Sequence, residues 1–281
     1  MFERMRRGWD LTKKAWGVVR SNPGLARLPI YGGVLALLSM LVLAAPGAVL
    51  LSVEDAGQGV KVGGALLVLL GIYLASFSVI YFNVALAAAA DEALAGREPD
   101  LAAARGVARG RLGLVAGWAV VSVAVSLILG AVRDRGGSAG RAVAGIGGAI
   151  WSLVTFLVVP VLAFEGIGPV AAMKRSASLF RERWGQQVTG NVVIGGASGL
   201  VAFLGILLGI AGLALLVSGG TAGAFGGGFL LAAGVVVTVA AAAFSGAMRG
   251  VFGVALYHYV TEDAALGPFT TADLESVART R

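Results

Sequence analysis

Arg249, Glu165 and Asn83 are charged or polar residues lying inside or at the edge of long apolar runs. If those runs cross a bilayer, a cation at the centre costs about 2.5–3.5 kcal/mol and is seldom left without a partner. Two roles are open to Arg249. It can be an anchor snorkelling to the headgroups, or, facing a helix bundle, a partner for Glu165 or for a lipid phosphate. An asparagine within a span offers interhelical hydrogen bonds worth about 0.6–2 kcal/mol, which favours packing over a transport site for Asn83. Tyr257, His258 and Tyr259 close the last apolar run. A proton relay would use these residue types, and so would a ring of interfacial aromatics, which is the simpler account of their position.

The remaining chemistry is excluded by what the chain lacks. It has no cysteine and one histidine, so thiolate nucleophiles, disulfides and His-based metal clusters are out of reach. Paired intramembrane carboxylates, HExxH and Gly-x-Ser-x-Gly are missing too, and the Gly219 to Gly228 stretch lacks the following Lys-Ser/Thr of a nucleotide cradle. No catalytic residue, metal or cofactor is assigned.

The elements that carry these residues are set by composition. The 281 residues are 58% hydrophobic and 13% charged, with a mean hydropathy of +0.88, where soluble domains have roughly a quarter of their residues charged. The net charge of +7 sits in short segments beside apolar spans, with no soluble domain left over, so lipid rather than nucleic acid is the expected partner. The N-terminal polar stretch runs to about Arg27 before an apolar segment long enough to span, and is expected to remain uncleaved.

That stretch is a basic amphipathic helix. Phe2, Met5, Trp9, Thr12, Trp16 and Val19 recur at steps of three and four, with Arg6, Arg7, Lys13 and Lys14 expected on the opposite side. A shift of 168 superposes Met5, Arg6, Arg7, Leu11, Lys13, Trp16 and Gly17 on Met173, Lys174, Arg175, Leu179, Arg181, Trp184 and Gly185, and the apolar stripe returns as Val170, Met173, Ala177, Phe180, Trp184 and Val188. A fainter copy follows a cap at Asp100, with Leu101, Ala104, Ala108 and Leu112 on one face and Arg105, Arg109 and Arg111 off it. Such helices suit a membrane interface, where aromatic rings sit at headgroup depth and cations meet anionic lipid. They would equally serve as coupling helices packed on their own bundle.

Between them lie the apolar spans, expected at 28–53, 62–90, 112–132, 142–164, 192–217 and 229–248 or beyond, with a charged loop at Arg133 to Arg141 and a Gly-rich turn at Ser218 to Gly228. Pro46 is expected to kink the first span or mark its far end, and a Thr270-x-x-Asp273 cap opens a short tail helix. At a shift of 170, Phe82, Val84, Ala85, Leu86 and Glu92 fall on Phe252, Val254, Ala255, Leu256 and Glu262. The expected architecture is therefore all-α, a single membrane domain of six transmembrane helices in three repeated units, about 1–97, 98–167 and 168–281. Each unit is an amphipathic interfacial helix plus two spans. Of the 22 Lys and Arg, 18 lie on the side of the amphipathic helices, which places both termini and all these helices in the cytoplasm or on its leaflet. Small-xxx-small pairs at Gly113/Gly117, Gly195/Gly199, Gly205/Gly209 and Gly246/Gly250 allow close helix contacts.

The chain resembles a bacterial family of uncharacterised six-span membrane proteins. The resemblance is carried by Met1-Phe2-Glu3-Arg4, Gly8-Trp9, Trp16, Tyr81-Phe82-Asn83 and the Pro160 to Lys174 segment with Phe164-Glu165-Gly166 and Pro169. More distantly it resembles the membrane regions attached to some glycerophosphodiester phosphodiesterases, whose chemistry belongs to a separate soluble domain. The resemblance implies fold and a multi-pass location in the bacterial inner membrane, with no established activity. The expected function is a non-enzymatic membrane scaffold or organiser whose basic helices bind anionic lipid headgroups or a partner protein, a homo-oligomer included. The alternative is a transporter or lipid-translocating protein with a path between the units.

Overall fold

Polar punctuation sets the helix ends. The computed structural model describes the backbone of residues 2–184, 196–217 and 221–278, and side chains of 9–181, 207–217, 223 and 225–275. All regular structure among them is helical: α1 Phe2–Ser21, α2 Gly24–Ser39, a π segment Met40–Ala44, α3 Ala45–Ser52, α4 Gln58–Leu94, α5 Leu101–Gly110, α6 Leu112–Arg135, α7 Gly137–Thr155, α8 Val158–Phe164, α9 Pro169–Trp184, α10 Gly196–Val217, α11 Thr221–Glu262 and α12 Thr271–Ala278. Asp100 Oδ1 accepts from the N–H groups of Ala102 and Ala103 at 2.7 and 3.1 Å, capping α5 as its position implied. Thr270 and Asp273 cap α12 reciprocally, the Thr270 N–H donating to Asp273 Oδ2 at 2.8 Å and the Asp273 N–H to Thr270 Oγ1 at 3.3 Å. At the end of α4, Gly96 takes φ of +75°, and the Arg97 and Gly96 N–H groups close back on Glu92 and Ala93.

Five helical stretches are long and apolar enough to cross a membrane: Gly24–Ser52, Gln58–Leu94, Leu112–Arg135, Gly137–Phe164 and Phe225–Glu262. The chain is an all-helical membrane protein. The first four stretches cover the expected spans except for Val53, and extend each of them at one end or both. The fifth begins inside what was expected to be a Gly-rich turn: α11 starts at Thr221, because in lipid the backbone must satisfy its own hydrogen bonds and helix prevails over weak propensity. The expected span at 192–217 lies partly outside the described residues, and α10 covers its 22 described positions. The expected loop at Arg133 to Arg141 is instead a sharp corner at Gly136 and Gly137, the latter at φ +57°, with the arginines in α6 and α7.

Prolines shape two spans. Pro46 cannot donate to the helix ladder, and the preceding π segment absorbs the fault, the Ala45 N–H reaching back to the Met40 carbonyl. Pro160 crowds and cannot bond the Phe156 carbonyl, so α7 and α8 part at Phe156 and Leu157. The freed Leu157 N–H donates to Ser176 Oγ of α9 at 3.2 Å, with Ser176 fully buried.

The hydrophobic core gathers at one end of the bundle. It is built from Val84 to Leu94 of α4, Ala247 to Val260 of α11, Val158 to Ala163 of α8 and the short helices around them. At 1.5 Å per residue the 37 residues of α4 and 42 of α11 reach about 55 and 63 Å, well beyond the ~30 Å hydrocarbon thickness. The remaining lengths expose many Leu, Val, Ile and Phe side chains, as lipid-facing helices do.

Of the amphipathic helices, α5 buries Ala104 and Ala108 as expected, while α1 and α9 bury faces offset from the expected stripes. In α1 the buried stripe is Leu11, Ala15, Val18 and Val19. Trp9 and Trp16 remain 50% and 41% exposed, and Lys13 lies on their side, its Nζ 5.8 Å from the Trp9 ring centroid. The smaller Leu, Ala and Val side chains make the close approach to the bundle, while Trp16, though half-exposed, also lies against it, its ring centroid 5.3 Å from that of Phe244 in α11. Leu112, expected with the buried residues of α5, is exposed at the start of α6.

Candidate functional site

The basic end presents an outer surface and an inner network. On the surface, Trp9, Lys13, Trp16 and Arg20 follow one another at helical steps along α1 and are all exposed. Lys174 and Arg181 are exposed on α9, opposite the buried Ala172, Ser176 and Leu179. Arg105 and Arg109 are exposed on α5, opposite the buried Ala104 and Ala108. The side chains of Arg6, Arg7 and Trp184 lie outside the described residues, as does the whole of Gly185 and Val188.

Two residues expected on this surface are used internally. Lys14 pairs with Asp273, holding α12 on α1. Burial alone would raise Asp273, but the Lys14 ammonium and the Thr270 hydrogen bonds more than offset it and hold its carboxyl below the ordinary carboxylate range. Arg175 Nε donates to Glu165 Oε1 at 3.1 Å, fixing α9 to the end of α8. Pairing with Glu165 was one of the roles open to Arg249, beside that of a headgroup anchor. Glu165 is instead engaged by Arg175 and by the Tyr257 hydroxyl, also at 3.1 Å, while Arg249 is exposed on α11.

Beneath the surface, charged groups from four elements converge. His258 Nε2 of α11 lies 2.8 Å from Asp91 Oδ1 of α4, and its Nδ1 lies 3.1 Å from Glu262 Oε2, out of line for a hydrogen bond. Phe164 sits between the two halves of the network, its ring 5.3 Å from Tyr257 and 5.6 Å from His258. Tyr257 and His258, read from the sequence as interfacial aromatics, therefore join helices. Asp91 directly follows the apolar run of α4. Its pairing spans 167 positions of sequence, and local pattern carries no signal for it. Asn83 is half-buried on the face of α4 that also bears buried Ile80 and Ala87.

The arrangement combines a cationic, aromatic surface with a polar network that joins α4, α8, α9 and α11. Among the described residues no group of His, Asp and Glu could hold a metal ion. No match is found among curated proteins or among solved structures. The model of a family of unknown function (DUF6159) matches residues 60–267, from the start of α4 to the turn before α12, and the chain belongs to that family.

Proposed function

We propose that the protein is a six-span organiser of the bacterial inner membrane, with α10 as the sixth span, whose basic helices bind anionic lipid headgroups on the cytoplasmic leaflet. The observation that carries this is the exposed Trp9, Lys13, Trp16 and Arg20 stripe on a helix whose other face is already buried. Exposed indoles beside cations match the headgroup layer. The like placement of Lys174 and Arg181 on α9 supports repeated units, since Lys13 and Arg181 are both exposed and Leu11 and Leu179 both buried at the shift of 168. The excess of Lys and Arg at this end supports its cytoplasmic orientation.

Each Lys or Arg near an anionic surface contributes about 1 kcal/mol. Lys13→Gln, Arg20→Gln, Lys174→Gln and Arg181→Gln together should thus lower the preference for phosphatidylglycerol over phosphatidylcholine by more than about tenfold. Native mass spectrometry of the detergent-purified protein in an equimolar lipid mixture reads that ratio. An unchanged ratio in the fourfold variant rejects the proposal.

A transporter with a path between the units is the second reading, favoured by half-buried Asn83 and the Asp91 and His258 pair within the bundle. It requires substrate flux in proteoliposomes that Asn83→Ala abolishes.

A further inference from the structure

Arg111 is a half-buried cation that the ion pairs of the basic end leave over. It sits at the junction of α5 and α6, its guanidinium lying flat against Gly166, where Cζ, Nη1 and Nη2 are the atoms a Cβ would strike. Gly166 has φ of +63°, a left-handed conformation open to glycine without strain. Two features of one position, the absent side chain and the left-handed turn, thus make room for the guanidinium.

The adjacent carboxylate does not neutralise it. Glu165 Oε1 is taken by Arg175 and Tyr257, and among the described residues no carboxylate pairs with Arg111. Lys174, Arg181 and Arg109 are exposed and keep their hydration. Arg111 has lost part of its own, and a partly desolvated charge without a partner is costly. Its fork of N–H donors matches the oxygens of a phosphate group, two at a time.

We infer that Arg111, laid on Gly166, is a seat for a phosphate group, supplied either by an anionic lipid headgroup or by a soluble phosphate. The lipid source rests on the proposed contact of the basic end with a leaflet. The soluble source does not.

The test compares wild type, Arg111→Gln, Arg111→Lys, Gly166→Ala and, as a control at an exposed cation outside the basic helices, Arg97→Gln, all purified in detergent. One arm titrates phosphatidylglycerol and counts retained lipid by native mass spectrometry. The other titrates inorganic phosphate and follows the melting temperature. Wild type and Arg97→Gln should retain one tightly held phosphatidylglycerol that Arg111→Gln binds about tenfold more weakly, the loss expected for one charge-assisted pair. Arg111→Lys recovers part of the affinity through charge alone, and Gly166→Ala loses it by displacing the guanidinium. An Arg111-dependent shift with inorganic phosphate and none with lipid keeps the seat and assigns it to a soluble ligand. If Arg111→Gln melts lower yet binds lipid and phosphate as wild type does, Arg111 is only a support for the Gly166 turn and the inference is wrong. Should the fourfold surface variant keep its lipid preference while Arg111→Gln loses the tight lipid, the seat stands and the proposed surface fails.

Discussion

His258 Nε2 and Asp91 Oδ1, 2.8 Å apart, join the ends of the two longest helices, α4 and α11. His258 is the chain's single histidine, and its side chain is 14% exposed against 30% for Asp91. Removing one partner leaves the other poorly solvated, at a cost of about 1–3 kcal/mol. Asp91→Ala and His258→Ala should each lower the melting temperature in detergent, and the double variant should fall short of their sum. Strict additivity would mean that the pair carries no coupling.

The Lys14 and Asp273 pair makes the docking of α12 pH-dependent. Asp273 is held below its unfolded value, so the folded state binds fewer protons at mildly acidic pH. The stabilisation is then complete above the ordinary carboxylate range and lost as pH falls through the lowered value. Hydrogen exchange across residues 271–278 should show protection disappearing at that acidic limb. Asp273→Asn should show weak protection at every pH, and an acid limb that survives in Asp273→Asn would assign the effect elsewhere.

Ser176 and Pro160 act on one fault. Ser176→Ala strands the buried Leu157 N–H and should destabilise the protein by about 1–3 kcal/mol. Adding Pro160→Ala restores a helical donor and allows α7 and α8 to run together, so the double variant should recover part of the loss. Equal stability of wild type and Ser176→Ala, measured by thermal denaturation, would show that another group satisfies Leu157.

Among the described residues, some glycines sit at close helix approaches and others face open space. A Cβ on Gly47 would come 2.6 Å from the Gly64 carbonyl oxygen, whereas one on Gly63 would meet nothing within 4 Å. Gly47→Val should push α3 from α4 and cost upwards of about 1–3 kcal/mol, the usual range for overpacking. Gly63→Val should be silent in the same denaturation assay.

Much of the fold was legible because its signals are local. Asp100, Gly96 and the Thr270 and Asp273 box act within a turn of their own positions, and unbroken apolar runs report spans by length. Faces were harder. The period of α1 accommodates both the Trp9 and Trp16 stripe and the Leu11, Ala15 and Val18 stripe, and only packing selects the second for burial. Among the small-residue pairs named from the sequence, Gly117, Gly246 and Gly250 meet Pro169, Pro29 and Leu86, but Gly113 and Gly209 meet nothing. The backbone-close contacts of Gly47 with Gly64 and of Gly212 with Gly227 depend on how hairpins cross, which glycine spacing does not encode. The inner network was invisible for the same reason: Asp91, Glu165, Tyr257 and His258 come from helices far apart in sequence.

The most direct measurement of lipid recognition uses the tryptophans themselves. Of the five in the chain, replacing Trp118, Trp151 and Trp184 by Phe leaves Trp9 and Trp16 as the reporters. In proteoliposomes, brominated phosphatidylglycerol should quench them more strongly than brominated phosphatidylcholine at the same mole fraction, and Lys13→Gln with Arg20→Gln should erase the difference. Equal quenching by the two lipids, or none by either, would contradict an anionic-lipid-binding surface on α1.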